Sequence, residues 1–472
     1  MEQLQDMLTL VSETIWSEYV LIPLLLITGL FLTIRLRLLQ FHKLFHALWL
    51  ALIRRKEHTD VEGDISHYQA LSTALAATVG VGNIAGAGLA IGIGGPGALF
   101  WMWMTGLVGM ATKYSEALLG VKYRQRDSVG KQSGGPMFYL RNGLPGGLGM
   151  TLGVLFAVFG AIAAFGIGNG TQANTVSQQL ESVWNVPTWV AGVGMVILAG
   201  AVIIGGIKSI GRVAAGIVPV MILLYIAITL LVLLVHVGDL PAAFALVFTD
   251  AFTGTAPVGG FAGSTVLIAI QMGVARGIFS NESGLGTGAI AAAAAKTDQP
   301  VRQAMVSMTQ TFIDTLVVVT MTCMVIIVTG VWEVEDAEDG SLLTSQALTE
   351  GLSAISPGIA PIGGYAVALA VAVFAFTTIL GWSYYGDRCI DFLFGHRGVV
   401  PYRVLFVAVI FVGATSELEL VWLFSDIANG LMALPNLVGL LLLSPVVVAE
   451  TKRYFANPDW KNPDVKVVDV RD

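Results

Sequence analysis

Residues Ala74 to Gly88 read ALAATVGVGNIAGAG and lie within a long apolar run. Gly80, Gly82, Gly86 and Gly88 fall where a helix wants better formers, since glycine costs about 1 kcal/mol relative to alanine. A helix interrupted here frees backbone N–H groups beside half-helix ends, which suits a carboxylate. It also frees carbonyl oxygens, which suit a hard cation such as sodium, and Thr78 and Asn83 add side-chain oxygens in the same stretch. The competing reading is close packing of helices through small-xxx-small pairs such as Gly82–Gly86. A dinucleotide-binding loop is excluded, because no strand–helix–strand context surrounds these glycines.

A second constellation, FAFTTILGW, covers Phe374–Trp382. Adjacent Thr377 and Thr378 can present hydroxyl oxygens to an ion, and Trp382 lies one turn beyond Thr378 on the same helix face. The alternative is that each threonine bonds back to its own helix carbonyls. Gln172 follows Phe165, Gly168 and Asn169 in another apolar stretch. Polar groups in a membrane are costly unless paired, so this cluster faces the interior, for interhelical hydrogen bonding or for ligand contact. A further stretch, GVARGIFSNESGLGTG, interrupts an apolar run with Gly273, Gly277, Gly284, Gly286 and Gly288. Lys113, Glu116, Arg276, Glu282 and Asp314 fall in or near apolar spans, with Asp426 a sixth candidate. Lys113 and Glu116 are three apart and can pair, and Arg276 and Glu282 flank the second interruption. Such charges are functional candidates by default; gate or packing ion pairs are the favoured reading over direct ligand contact.

Other chemistry is missing from the pattern. No nucleophile–base pair, metal-ligand cluster or phosphate loop is recognisable, so an enzyme is not expected. Cys323 and Cys389 give neither a disulfide framework nor metal-ligand spacing. The six histidines all fall at loops or helix ends.

The elements that must position these residues follow from composition. Hydrophobic residues make up 55% of 472, and the 55 glycines bring the apolar share to about two-thirds. Charged residues are only 12%, about half the usual share. A water-soluble chain could not solvate its surface with so few, so the sequence describes an all-α polytopic membrane protein. The acidic start, MEQLQDMLTLVSETIW, is not expected to be a cleaved signal peptide.

Spanning runs recur throughout. An extra N-terminal span is expected near Glu18–Leu39, followed by a basic amphipathic stretch, Arg35–Lys56, along the membrane surface. Ten core spans follow, near Ser66–Gly94, Gly95–Tyr123, Met150–Val183, Thr188–Ile207, Gly211–His236, Phe261–Ala295, Val301–Trp332, Pro361–Phe394, Tyr402–Ser416 and Leu420–Lys452. Of the 25 Lys and Arg, only Lys113 and Arg276 fall within spans. With eleven spans all the others land on one face, and the opposite loops, such as Glu2–Glu18, Asp239–Asp250 and Glu333–Glu350, are acidic. Positive loops mark the cytoplasmic side, which puts the N-terminus outside and the C-terminus inside. The net charge of −7 therefore says nothing about acidic or basic partners.

Setting the first span (residues 18–60) aside leaves five helices in 66–236 and five in 261–452, with a cytoplasmic tail at 453–472. An odd number per half means that the halves run in opposite directions, a 5+5 inverted repeat within one transporter domain. Each half then opens with a broken helix, so the first and sixth core helices are broken. Paired interruptions of this kind point to a ligand site at the membrane midplane.

From Gly94 the chain reads GGPGALFWMWMTGLVGMATKYSE, which resembles the signature of the sodium:alanine (alanine or glycine:cation) symporter family. ALAATVGVGNIAG, GVARGIFSNESGLGTGAIAAAAA and FTTILGWSYYGDR resemble that family's segments in the right order, from about Val20 to Glu450. The family is similar to the leucine-transporter fold with one helix added in front. The resemblance implies that Thr78, Gly80, Val81, Gly82 and Asn83 hold the substrate carboxylate. Carbonyls of Ala76 and Val79, with the hydroxyls of Thr377 and Thr378, match a sodium site. Met272, Gly273, Ala275 and Ile278 match the substrate-facing turn of the second broken helix. Phe165, Gln172, Thr378 and Trp382 match pocket positions. The fold's other sodium site takes a side-chain oxygen where this chain has Gly273, so one sodium per cycle is implied.

The expected activity is sodium-coupled import of a small neutral amino acid, alanine or glycine, with serine or D-alanine accepted, by alternating access. Sodium is the coupling ion and no other cofactor is implied. Proton coupling through Glu116, Asp314 or Glu282 is the alternative, and a gated channel is the reading from another class. The partners are the amino acid, sodium and the lipid bilayer; no nucleic acid or obligate protein partner is implied, and a monomer suffices. The implied location is the cytoplasmic (inner) membrane of a bacterial-type cell.

Overall fold

The structure, a computed structural model, describes residues 2–17, 19–54, 62–253, 262–333, 340–462 and 467. Long apolar runs with few breakers give nearly continuous helix. The chain begins with α1 (Glu2–Ile15), α2 (Leu21–Arg35) and α3 (Leu39–Leu48, continued to Arg54 as a π-helix). Next come α4 (His67–Thr78) and α5 (Ala87–Gly94), joined through a π turn at Gly82–Gly86. α6 (Gly97–Lys122) leads through a small antiparallel hairpin, β1 (Gln125–Arg126) and β2 (Gln132–Ser133), to α7 (Pro136–Gly143). α8 (Gly146–Phe165) runs on through a π turn into α9 (Thr171–Trp184). Then follow α10 (Thr188–Ile203), α11 (Gly206–Val235), α12 (Leu240–Thr253), α13 (Ala262–Asn281) and α14 (Thr287–Ala293). α15 (Pro300–Thr311) continues through a π stretch into α16 (Thr320–Thr329). The chain closes with α17 (Gly340–Ser353), α18 (Pro361–Phe394), α19 (Val399–Thr415) and α20 (Leu418–Ala456).

Two helices organise the packing. α6 touches α2, α12, α13, α14 and α15, while α18 touches α4, α8, α9, α11 and α17. The interrupted pairs α4–α5 and α13–α14 lie between them, with α5 on α13 and α14 on α4. Small residues permit this closeness: a Cβ on Gly381 of α18 would sit 2.8 Å from the Ala77 Cβ of α4.

Among the described residues, six helices are long and apolar enough to cross a membrane, and two bent pairs raise this to eight. Eleven spans are not reached on length and apolarity alone, for local reasons. α10 has 16 residues, about 24 Å of rise against a hydrocarbon core of about 30 Å. α6 has 26 residues, and its second half buries Thr112, Lys113, Ser115 and Glu116. The expected start of the sixth core span at Phe261 lies outside the described residues.

Three expectations are corrected. The acidic segment Asp239–Asp250 is helical from Leu240, as α12, and residues 340–350 of Glu333–Glu350 lie in α17, because LPAAFALVF and SLLTSQAL carry apolar residues at helical spacing; residues 334–339 lie outside the described residues. The N-terminal acidic segment is the helix α1, which packs on α20. The second interruption is much shorter than Gly273–Gly288: α13 stays helical to Asn281, and only Glu282–Gly286 leave the helix. The basic stretch after α2 does turn away from it, by 82°.

Candidate functional site

The first interruption begins where α4 ends. Ser66 opens α4 with a capping box, its hydroxyl accepting from the Gln69 N–H while Gln69 reaches back to the Ser66 N–H. The helix runs to Thr78, and the axis then bends by 52° into the following segment. Val79 and Gly80 are not helical. Their freed neighbours are satisfied by side chains: the Gly80 N–H donates to Asn83 Oδ1 (2.9 Å) and the Val81 N–H to Gln172 Oε1 (3.1 Å). Both freed N–H groups are thus capped by neutral amide oxygens. Thr78 turns away, its hydroxyl donating to the Ala74 carbonyl at 3.1 Å.

The glycines divide between the two expected roles. A Cβ on Gly80 would lie 2.4 Å from Thr378 Oγ1 and 3.0 Å from Gln172 Oε1, so glycine admits these groups to the break. Gly82 packs on α13, where a Cβ would meet Phe279 and Ser280 at 3.1 Å. Gly88 packs on the backbone of Gly340 in α17. Gly86 does not fit the packing reading: it is buried, yet an added Cβ meets nothing within 4 Å.

α18 bridges both breaks. The Thr378 hydroxyl donates to the Ala76 carbonyl at 2.9 Å, which fixes α18 to the last turn of α4. One turn on, Trp382 Nε1 donates to Glu282 Oε1 at 2.7 Å, in the second break. Thr377 bonds back to the Phe374 carbonyl (2.9 Å) and meets Met221 Sδ of α11 at 3.6 Å. Trp382 fits because residue 168 is glycine, where a Cβ would fall 2.1 Å from the indole side chain.

The second break is a turn built around buried charge. Glu282, Gly284 and Gly286 take positive φ (56°, 96° and 84°), a conformation that glycine adopts freely and glutamate rarely does. Glu116 Oε1 accepts from the Gly284 and Gly286 N–H groups at 3.0 Å and from Asn436 Nδ2 at 2.8 Å. Lys113 Nζ donates to the Glu282 carbonyl (2.9 Å) and lies 3.8 Å from Glu116 Oε2. The Glu282 carboxylate is closed by Trp382 on one oxygen and by the Thr287 hydroxyl (2.6 Å) on the other.

Asp314 lies in the π stretch after α15, where the wider turn sets its side chain between the breaks. It accepts from Asn83 Nδ2 (2.7 Å), Ser280 Oγ (2.9 Å) and Thr315 Oγ1 (2.8 Å). It is fully buried, and no Lys or Arg nitrogen of the described residues reaches salt-bridge distance of it. Oxygen groups with one uncompensated negative charge suit a hard monovalent cation. Arg276 pairs instead with Asp426 of α20 at 2.7 Å, and its guanidinium lies 4.8 Å from the Trp422 ring centre.

The structure therefore gathers Ala76, Val79, Gly80, Val81, Gln172, Thr378, Trp382, Glu282, Lys113 and Glu116 around the breaks, with Asn83 and Asp314 beside them. Other expected site residues have their contacts elsewhere. The Phe165 ring lies 5.1 Å from Tyr402 and 5.7 Å from Phe406, because the π turn that follows rotates it toward α19. Asn169 likewise donates to the Phe406 carbonyl. Gly273 packs against α6, where a Cβ would lie 2.4 Å from the Ala98 carbonyl, and Met272 lies against Gly94. Ala275 and Ile278 are buried in regular helix, with Ile278 one turn ahead of the break. Asn436 and Ser280 were missed. Asn436 could have been found as a polar residue beside Pro435 inside an apolar run; Ser280 looked like one more small residue.

Residues 1–467 match the sodium:alanine symporter family. The chain belongs to that family. It is 51% identical over 445 residues to the sodium/alanine symporter AgcS of Methanococcus maripaludis, covering 94% of this chain and 96% of that protein. The amino-acid carrier protein AlsT of Bacillus subtilis is 33% identical over 452 residues, or 95% of this chain and 92% of its own. Among solved structures, MhsT in complex with L-phenylalanine is similar with a TM-score of 0.57 at 13% identity, over 83% of this chain and 98% of that one. That likeness is one of fold. The protein is thus a multi-pass membrane transporter of the amino-acid:cation symport type and not an enzyme.

Proposed function

We propose that the chain imports small neutral amino acids, alanine or glycine with serine and D-alanine as further substrates, driven by sodium. One observation carries this reading: α18 ties the two broken helices together through Thr378 to the Ala76 carbonyl and Trp382 to Glu282. The substrate carboxylate replaces Asn83 Oδ1 and Gln172 Oε1 on the Gly80 and Val81 N–H groups. The ammonium meets carbonyls of the broken helices. Trp382 and Ile278 limit side-chain size, a device that discriminates one methylene by about 1–3 kcal/mol. Sodium takes the carbonyls of Ala76 and Val79 with the hydroxyls of Thr377 and Thr378. Asp314, with the hydroxyl oxygens of Ser280 and Thr315 beside its carboxylate, offers a second cation position, where the sequence implied one sodium per cycle.

Eleven crossings in a 5+5 inverted repeat, after an extra N-terminal helix, form the scaffold, with the N-terminus outside and the C-terminus in the cytoplasm. Basic residues gathered at one end of the helices support this orientation. There Arg124 donates to carbonyls of Glu62, Ala293, Ala295 and Thr297, and Arg388 pairs with Asp127 at 2.9 Å. Arg276 with Asp426 closes the opposite side of the second break. Alternating access rocks these two closures about the shared site.

Proton coupling keeps one argument, since Glu116, Glu282 and Asp314 are fully buried near a single lysine. Glu116 faces Lys113 at 3.8 Å and the same lysine holds the Glu282 carbonyl, whereas no lysine or arginine of the described residues pairs with Asp314, which makes Asp314 the carrier in that reading. Uptake of labelled alanine into proteoliposomes with and without an inward sodium gradient decides it. A gradient-dependent rate supports sodium coupling; equal uptake in both defeats it.

A further inference from the structure

A cavity of about 390 Å³ lies where α2, α3 and the far end of α20 meet, and no residue of either break lines it. Arg35, Arg37, His42, Lys43 and Lys452 line it, and among the described residues no carboxylate does. Its floor is apolar, made of Leu36, Leu39, Val448 and Phe455. The nearest acid in sequence, Glu450, is engaged elsewhere by Lys122 at 2.6 Å. Like charges gathered in one recess repel each other, and an anion in place relieves that repulsion; Lys43 is in addition held over the Phe455 and Trp460 rings, at 4.8 and 4.1 Å.

The backbone is bent to build this recess. Arg37 and Leu38 are consecutive non-glycine residues with positive φ, 56° and 59°. Each such residue costs about 1–2 kcal/mol. The corner is secured by the Leu38 N–H to the Thr33 carbonyl (2.9 Å) and by Gln40 Nε2 to the Thr33 hydroxyl (2.9 Å). It turns α3 by 82° from α2, so that α3 runs across the end of the bundle. Outside the recess the surface is apolar: Phe45 is 84% exposed and Ile34 65%. A basic recess with bare apolar side chains around its mouth matches a phosphate-bearing headgroup whose acyl chains lie along the helices.

We propose that this recess binds the headgroup of an anionic phospholipid, with Arg35, Arg37 and Lys452 on the phosphate and the exposed face of α2 and α3 against the acyl chains. The ligand chemistry is a phosphodiester, and the lipid is its source because the recess opens beside the lipid-facing surface. Thr451 on its wall is hydrogen-bonded to Tyr114 of α6 (2.9 Å), the helix that carries Lys113 and Glu116. Occupancy therefore bears on the helix that holds the second break.

The test uses the full chain, purified from a defined mixture of phosphatidylglycerol and phosphatidylcholine, with retained lipid counted by mass spectrometry. Retention of phosphatidylglycerol over phosphatidylcholine is expected. It should weaken about fivefold for each charge removed in Arg35→Gln, Arg37→Gln and Lys452→Gln. Arg397→Gln, an exposed cation outside the recess, should retain lipid like the parent. Val448→Trp fills the recess without changing charge and should also lose the lipid. Equal retention of the two lipids, or unchanged retention in both the triple variant and Val448→Trp, overturns the proposal. Release of the lipid by excess inorganic phosphate would show a site for free oxyanions and overturn the lipid assignment.

Discussion

Trp382 Nε1 donates to Glu282 Oε1 at 2.7 Å, with both side chains completely buried. The bond joins a rigid helix to the one residue of the second break that holds a left-handed backbone without being glycine. Removing the donor leaves Glu282 with Thr287 alone, and an unsatisfied buried acceptor costs about 1–3 kcal/mol. Trp382→Phe should therefore lower the melting temperature and raise the KM for alanine, because the break loses its anchor. Gly168→Ala should give the same pair of effects by displacing the indole. A Trp382→Phe protein with parental melting and parental KM would show that the bond anchors nothing.

Thr378 tests the first break. Its bond to the Ala76 carbonyl contributes about 1 kcal/mol to stability, a modest term. Thr378→Val keeps shape and removes the oxygen, so melting should shift slightly while sodium-dependent uptake falls far more. If uptake falls only in proportion to the amount of folded protein, the hydroxyl has no role in sodium binding.

Asp314 separates the two cation readings. Asp314→Asn keeps the size of the group and removes its charge. Contacts to a charged group are worth about 1.5–3 kcal/mol, so sodium activation should weaken about ten- to a hundredfold. Its cooperativity should drop toward that of one ion. Under proton coupling the same variant would instead lose the pH dependence of uptake and keep its response to sodium. Sodium titrations of uptake at two pH values tell these outcomes apart.

Much of this site is legible in the sequence for a physical reason. Gly80 beside Thr78 and Asn83, or two threonines in an apolar helix, violate local rules that membrane helices otherwise keep, and function is where such violations concentrate. The π turns are not legible. Gly166–Gly170 reads as ordinary helix, yet its extra residue per turn separates the faces of Phe165 and Gln172, sending one to α19 and the other to the break. Gly273 and Gly277 were ambiguous for another reason. Glycine serves both unwinding and close approach, and only the nearness of Ala98 and Thr105 on α6 decides for approach.

The Arg388–Asp127 pair gives a pH prediction. Its side chains are 2% and 3% exposed. Burial works against the Asp127 charge, but the Arg388 N–H and the backbone N–H groups of Lys131 and Val129 outweigh it and hold the carboxyl below its usual range. A depressed carboxylate contributes its full stability above the unfolded value, near 4, and loses it as pH falls through the lower folded value. Arg388→Gln leaves a buried carboxylate unpaired, which costs about 3–5 kcal/mol. The melting difference from the parent should stay constant around neutral pH and shrink only in acid. A difference that vanished near pH 7 would mean that another group sets the stability of this end.

Arg276 and Asp426 close the other end, and their opening can be read chemically. The guanidinium grips both carboxylate oxygens, at 2.7 and 3.4 Å, and stacks near Trp422 and Phe279. Lysine keeps the charge but cannot reproduce the fork or the stacking, so Arg276→Lys should hold α13 to α20 more weakly. Gly86 supplies the reporter, because a side chain there meets open space and both native cysteines are buried. Gly86→Cys should react slowly with a membrane-impermeant thiol reagent applied from outside. Adding Arg276→Lys should speed that reaction, and saturating sodium with alanine should slow it again. If the lysine variant reacts no faster than Gly86→Cys alone, the ion pair does not gate the outer path.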